Sequence, residues 1–339
     1  MTSHSSKGAA LTLAVSLSFM MLLSSLSIKP IPISDDRDGD GWTNDFEVEM
    51  GTNPDYPLDT FACNGAVSLC QKQLTEVTFA ETHNAHSSMD WGFLGYAANH
   101  ELNLTGQMEA GFRGLMLDTH YPEEGSNEIL LCHGSYGESF QGVHPCSFGS
   151  HPLIDALELI RKFLENNTEE VFILSFENYV LDSELITTFN DAGMAPHMYW
   201  HDGEDWPTLG EMVRTGQRVV AFSDTVDGQH DFLLRHRLHV RGTPWGAPSV
   251  EELSCTPIHG SSNAELYRLT TYLTYSIGLS YPHGATITNQ PEFIHNHTID
   301  CWVETGVRPN LVSVDWWEQG DVPSAVLRLN QIEYPEIID

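Results

Sequence analysis

The sequence predicts an α/β chain whose parallel strands close into a barrel. Three observations carry this. Apolar runs alternate with stretches of helical spacing over about 260 residues from Cys63, the size of one barrel of βα units. The runs are near-continuously apolar, as strands buried on both faces are. Four of them lead into a histidine or a carboxylate, and in parallel barrels chemistry gathers at the C-terminal strand ends. A doubly wound sheet is the alternative, disfavoured because no glycine-rich phosphate loop follows the first strand.

Taken in order, Val77 to Thr82 reads as a strand leading into His83-Asn84. Glu101 to Ala110 reads as a helix, and Gly111 to Leu117 as a strand leading into Asp118. Ile129 to Cys132 leads into His133. Pro152 to Asn166 is helical, with Leu153, Ala156, Leu157, Ile160 and Leu164 on one face. Val171 to Phe176 leads into Glu177-Asn178, and Asp182 is a candidate N-cap for a helix to Asn190. Arg218 to Ser223 reads as a strand, and Asn310 to Val314 as the last one, ending at Asp315.

Three segments are expected: 1–28 as a signal peptide or membrane anchor, 34–59 as a calcium-binding loop unit, and 63–335 as the barrel. Lys7 is the only charge before Lys29, and Ala9 to Ile28 is rich in Leu, Ala, Met and Ser. Ser25-Leu26-Ser27 is a small-residue cleavage site, while the run is also long enough to span a bilayer uncleaved. The expected location is therefore secreted, or membrane-anchored and facing outward. Six cysteines in an exported chain favour disulfides. Neighbours in sequence pair Cys63 with Cys70 and Cys132 with Cys146, leaving Cys255 with Cys301, although fifteen connectivities stay open. The formal net charge of −32, with four lysines, excludes ordinary nucleic-acid binding and electrostatic attraction to anionic membranes. It suits a saline or calcium-rich extracellular setting, or simply an acidic exported protein.

Asp36-Arg37-Asp38-Gly39-Asp40-Gly41, with Asn44 and Glu47, fits the calcium-loop pattern at every position. Oxygens at positions 1, 3, 5 and 12 surround a hard cation, and glycine at position 6 permits the turn. Asp36, Asp38, Asp40 and Glu47 would give side chains, Trp42 its carbonyl, and Asn44 a direct or water-mediated contact. Lys29-Pro30-Ile31-Pro32 disfavours the preceding helix of a full EF-hand. The segment resembles the loop-plus-helix calcium repeats related to thrombospondin type 3, with Gly51-Thr52-Asn53-Pro54-Asp55 closing it.

Further on, the motifs are Cys63-Asn64-Gly65 through Leu69-Cys70, Thr82-His83-Asn84-Ala85, Gly111-Phe112-Arg113-Gly114-Leu115-Met116-Leu117-Asp118 and Leu131-Cys132-His133. Ile173-Leu174-Ser175-Phe176-Glu177-Asn178-Tyr179, Asp205-Trp206-Pro207-Thr208-Leu209 and Asn310-Leu311-Val312-Ser313-Val314-Asp315 follow. In this order they resemble the phosphatidylinositol-specific phospholipase C X-domain superfamily, over Cys63 to Asn330. The resemblance implies a distorted TIM-type (β/α) barrel that cleaves phosphodiesters. His83 matches the general base and His133 the general acid, and imidazoles near pKa 6.5 suit both tasks. It implies a phospholipid or other phosphodiester substrate, a cyclic phosphodiester product, and possible contact with a membrane surface. It also implies active-site Ca²⁺ on Asn84, Asp118 and Glu177. The fourth ligand of the calcium type, a Glu, is Met116 here, so water, Glu81 or an altered set would have to replace it.

Asp315 has a role readable from the residues alone: a carboxylate that accepts an imidazole N–H orients a catalytic histidine, with helix capping as the plain alternative. Arg113, inside its strand, reads as a structural ion pair. Trp91, Phe93, Trp245, Trp316 and Trp317 fall near the mouth, where aromatics meet lipid or pack in the core. A zinc site from His83, His120 and Asp118 is a minor alternative. Asn103, Asn166 and Asn296 open glycosylation sequons. Rival functions are cleavage of another head group (a glycosylated anchor, a glycerophosphodiester or sphingomyelin), a catalytically weak surface-binding module, and a structural calcium protein.

Overall fold

The structure, a computed structural model, describes residues 35–55, 61–95, 97–134, 143–225, 232–275 and 279–333. The expected leader, 1–28, lies outside the described residues, as do the outer edges of the other two segments.

Eight parallel strands form one curled sheet. They are β1 (Phe79–Thr82), β2 (Gly114–His120), β5 (Phe172–Asn178), β6 (Val219–Ser223), β7 (Leu233–Arg235), β8 (Val240–Gly242), β9 (Leu266–Thr270) and β10 (Leu311–Val314). Their order is β7-β6-β5-β2-β1-β10-β9-β8: parallel strands adjacent in the chain pair in the sheet except β7 and β8, and β1 pairs with the distant β10. Among the described residues no ladder joins β7 to β8, and the barrel stands open at that seam. Two short strands, β3 (Leu130–Leu131) and β4 (His151–Pro152), run antiparallel to β2 and to each other. This corrects one expectation: His133 follows a small antiparallel ribbon laid on β2, not the end of a barrel strand.

The helices expected at 101–110, 152–166 and 182–190 are present with shifted ends, among nine in the described residues. The nine are α1 (Asn44–Met50), α2 (Leu104–Ala110), α3 (Leu153–Asn166), α4 (Asp182–Asp191), α5 (Leu209–Thr215), α6 (His236–His239), α7 (Pro282–Thr288), α8 (Pro291–Thr305) and α9 (Val322–Leu329). Asn103 caps α2 through its side chain, so the helix starts three residues later than Glu101. Asp182 is the first residue of α4 rather than its cap, which is Leu181. All three cysteine pairs form: Cys63–Cys70, Cys132–Cys146 and Cys255–Cys301.

Strand alternation builds the barrel in layers. Phe172, Leu174 and Phe176 of β5 face outward into the cluster with α3 and α4. The opposite parity faces inward. At the N-terminal end, Phe79, Ile173, Val220, Phe222 and Leu311 make an apolar floor. Above them lies a polar middle layer. Arg268 donates to both oxygens of Glu81 (2.7 and 2.8 Å) and to Ser175 Oγ (2.7 Å). Gly114 leaves room for this, since a Cβ there would lie 2.7 Å from Glu81 Cβ. Arg113, outside the layers, pairs with Glu170 at 2.6 Å.

Candidate active site and calcium loop

The top layer of the barrel gathers the imidazoles and carboxylates expected at the strand ends. His83 stands one residue beyond β1, two beyond inward-facing Glu81, and its Nδ1 lies 2.9 Å from Asp315 Oδ1. Asp315 follows β10 in the same way and is buried. Its carboxylate also accepts from Asn99 Nδ2 (2.9 Å) and Ser280 Oγ (2.9 Å). Burial alone would raise the Asp315 carboxyl, but the charge and hydrogen bond of His83 hold it below the usual range. The next residue, Trp316, adopts φ 48°, uncommon for a bulky side chain. Asn289 Nδ2 fixes that turn by donating to the carbonyls of Asp315 and Trp316. The His83 ring stacks on Tyr272, centroids 4.2 Å apart, and the buried His100 bonds the His83 carbonyl (2.8 Å).

His133 reaches the same mouth. Its Nδ1 bonds the Ala97 carbonyl at 2.6 Å, and the Cys132–Cys146 disulfide anchors the preceding residue. Burial and the neighbouring His83 lower its pKa, against the Ala97 bond. In both imidazoles a fixed Nδ1 leaves Nε2 as the reactive nitrogen.

Asp118 and Glu177 are register partners on β2 and β5. Burial, then the Glu177 carboxylate, push Asp118 well above the usual carboxylate range. Asp224, one residue past β6, joins them and is itself raised, chiefly by burial. Asn84, at φ 45°, sits in a turn tied to β2 by the Ala85 N–H to Met116 O bond (2.7 Å). The three acids repel one another, as a cation site would require, but among the described residues their oxygens do not meet as a metal-sized cluster, and Glu177, which accepts from the Tyr179 hydroxyl, is exposed. Glu81 does not complete this set, because Arg268 occupies both its oxygens. Met116 packs beside Ser313, whose Oγ lies 3.5 Å from the sulfur. Asp118, His83 and His120 do not form a metal-sized cluster among the described residues.

Beside the acids lies a cavity of about 260 Å³ lined by Glu177, Asp224, His236, Arg237 and Arg268, with Trp245 at its rim. Trp245 is 65% exposed, whereas Phe93 and Trp316 are buried in packing, so the mouth aromatics divide between rim and core. A cavity of equal volume at the opposite pole is lined by Asn64, Arg113 and Asn330 and carries no imidazole.

The N-terminal loop is held by its own aspartates. Asp36 accepts from the N–H groups of Gly39 (2.8 Å) and Gly41 (3.1 Å), and Asp40 from that of Trp42 (2.8 Å). Ligand oxygens of Asp36, Asp38 and Asp40 lie within 4.8 Å of one another. Glu47 is fully buried, and among the described residues neither carboxylate oxygen has a partner. Burial, with Asp38, Asp40 and Asp36 around it, pushes its carboxyl up to about 7. Asn44 Oδ1 accepts from the Arg37 N–H (3.1 Å), and the Trp42 ring turns inward. A buried, unpartnered acid facing three aspartates fits a calcium ion.

Asn99, Ser280, Tyr272, Asp224 and Arg268 belong to the site and escaped the sequence reading. Asp224 alone carried a signal, a carboxylate directly after the Arg218–Ser223 run.

The fold is that of the phospholipase C-like phosphodiesterase barrels. A phosphatidylinositol-specific phospholipase C from Staphylococcus aureus superposes with TM-score 0.53 over 77% of this chain and 93% of that one, at 15% identity, a likeness of fold alone. The chain belongs to the PI-PLC X family (PI-PLC X 1), whose model matches residues 69–330. It is 29% identical over 221 residues to a PI-PLC X domain-containing protein of Arabidopsis thaliana, covering 59% of this chain and 49% of the relative. The chain thus spans about half that relative's length. An uncharacterised secreted protein of Arthroderma benhamiae is 24% identical over 323 residues, 86% of this chain and 69% of the relative. PI-PLC X domain-containing protein 1 of the same fungus is 24% identical over 290 residues, 79% of this chain and 89% of the relative. Among the described residues no helix is long and apolar enough to cross a membrane.

Proposed function

We propose that the protein is an exported phosphoric diester hydrolase of the phospholipase C type, acting on a phosphatidylinositol-like lipid. One observation carries this: two imidazoles share the mouth with differently bonded Nδ1 atoms, one on a carboxylate and one on a carbonyl. Asp315 stabilises an imidazolium at His83, so His83 Nε2 is the atom that accepts a proton from the attacking hydroxyl. His133 gives its Nδ1–H to the Ala97 carbonyl, so it carries an Nε2–H only as the imidazolium, which burial makes scarce but strongly acidic toward the leaving alcohol oxygen. The hydroxyl oxygen bonds to phosphorus as the P–O bond to the diacylglycerol breaks, giving a cyclic phosphodiester. Calcium held by Asn84, Asp118 and Glu177, with Asp224 beside them, would supply positive charge to the phosphate oxygens. The polar cavity at Glu177, Asp224 and Arg237 suits a hydroxyl-rich head group, and exposed Trp245 suits contact with a lipid surface. Asp36, Asp38, Asp40, Trp42, Asn44 and Glu47 hold a second, structural Ca²⁺. Secretion is supported by the leader's composition and by the fungal relative's description.

A second reading, a surface-binding module with weak turnover, is favoured by one observation. Arg268, the cation inside the barrel, is committed to Glu81, and Met116 replaces an expected ligand. Phosphatidylinositol vesicles with Ca²⁺, with chelator, and with His133→Ala decide between them. Turnover that falls by about 10² or more in His133→Ala supports the hydrolase. Vesicle binding without turnover, unchanged in His133→Ala, supports the module. Turnover that survives the chelator keeps the two histidines and removes the active-site metal.

A further inference from the structure

We infer that the N-terminal loop is a calcium-operated latch for the closed end of the barrel, making the stability of the whole catalytic fold depend on the surrounding calcium. This rests on the reading of Asp36 to Glu47 as a calcium loop.

The loop's interior points to a missing positive charge. In α1, Glu47 is fully buried while its neighbour Val48 is 68% exposed. Of the helix's three acids, Asp45, Glu47 and Glu49, only Glu47 is buried, beside the apolar Phe46 and Met50, where a lone carboxylate is costly. Both Glu47 oxygens and Asp38 Oδ2 are buried without partners among the described residues. Three half-buried aspartates with oxygens within 4.8 Å of one another, on the same loop unit as the buried Glu47, destabilise this segment unless a cation neutralises them.

The same segment is welded to the barrel floor. Trp42, Phe46 and Met50 belong to one apolar cluster with Leu69, Leu74, Val77, Phe79, Leu209 and Met212. Trp42 Nε1 donates to the Val67 carbonyl (3.2 Å), and Gln71 Nε2 to that of Gly41 (2.8 Å). The strip beyond, fastened by the Cys63–Cys70 disulfide, passes the connection on. Gly210 N–H bonds the Cys70 carbonyl (2.9 Å), Leu209 N–H that of Lys72 (3.0 Å), and Leu74 N–H that of Pro207 (3.0 Å). The packing is tight enough that a Cβ on Gly210 would lie 2.8 Å from the Cys70 carbonyl and 2.9 Å from Phe46 Cζ. Val77 and Phe79 lead into β1, whose far end positions His83. Losing the cation therefore frees α1, exposes the cluster and loosens the floor from which β1 starts. The ion acts at the pole opposite the histidines and touches no reacting atom.

The test uses the full chain. Terbium luminescence excited through Trp42, with calcium as competitor, reports binding in the loop. Thermal melts in Ca²⁺, Mg²⁺ and chelator report the linkage. At a hundredfold excess of Ca²⁺ over its dissociation constant, the melting midpoint rises by about 5 to 10 °C. Glu47→Gln loses both responses, whereas Asp118→Asn, in the active site, keeps them. If Glu47→Gln does not accumulate, the Asp118→Asn melt with and without chelator decides, since only the loop site remains intact there. Terbium binding with an unchanged midpoint overturns the latch and leaves the calcium loop standing. No calcium or terbium binding overturns the loop reading as well. A shift lost in Asp118→Asn but kept in Glu47→Gln overturns the latch and assigns the effect to the mouth.

Discussion

Replacing Arg268 by Met separates a structural cation from a catalytic one. Arg268 is largely buried, and its guanidinium spans both oxygens of Glu81, which is wholly inaccessible to water. The substitution keeps most of the side chain's volume but strands a carboxylate in the barrel interior. Removing one partner of a buried pair costs about 3 to 5 kcal/mol, because the other charge is left uncompensated. At about 2 to 4 °C per kcal/mol for a chain of this size, the melting midpoint falls by roughly 6 to 20 °C. Replacing both partners by apolar residues, Glu81→Leu with Arg268→Met, removes the stranded charge. The double variant then returns to within about 1 kcal/mol of the wild type. Urea unfolding followed by tryptophan fluorescence gives the four free energies, and the cycle's coupling exceeds about 2 kcal/mol. A loss under about 1 kcal/mol in Arg268→Met, or a double variant no better than the single, refutes the reasoning. Full stability with abolished turnover would instead make Arg268 the phosphate's cation.

Two further outcomes follow from the mouth. Asp315→Asn keeps the shape of the Asn99–Asp315–His83 network but not its charge, so kcat falls by about 10² to 10⁴ with KM moved less, as vesicle turnover across pH would show. His100 is buried and uncharged, its pKa lowered by burial from the ordinary 6.5 to about 4. Its folded value is depressed, so the stability it contributes is complete above pH 6.5 and is lost as pH falls toward 4, by up to about 3 kcal/mol; urea unfolding at pH 7 and pH 4.5 checks this, and His100→Asn flattens the slope.

The parts of this molecule that the sequence makes legible are those whose cause is local. The apolar runs of β1, β2, β5, β6 and β10 declare themselves, because each is buried on both faces. Strands β7 and β8 are three residues long, and β9 contains Arg268, so no apolar run marks them. His83, Asp118, Glu177 and Asp315 follow strand or motif positions and were readable. The groups that hold them were not. Asn99 meets Asp315 across 216 positions and Arg268 meets Glu81 across 187, partnerships that only the closed topology creates. The misjudged direction of the Ile129–His133 segment has the same origin. A short apolar run does not reveal whether it joins a parallel barrel or folds back on a neighbour.

The seam between β7 and β8 bears on how the protein survives at high concentration. A closed barrel has no edges, whereas this one has two, and exposed strand edges template pairing between molecules. The β8 edge is already covered. Residues 258–259 return along it, with Ile258 and His259 donating to the Gly242 carbonyl and Gly242 to that of His259. That return needs Gly260, at φ 79°, where a Cβ would lie 2.2 Å from the Val240 carbonyl. A side chain at position 260 would lift the cover and open a sticky edge, so its first symptom would be self-association rather than lost chemistry.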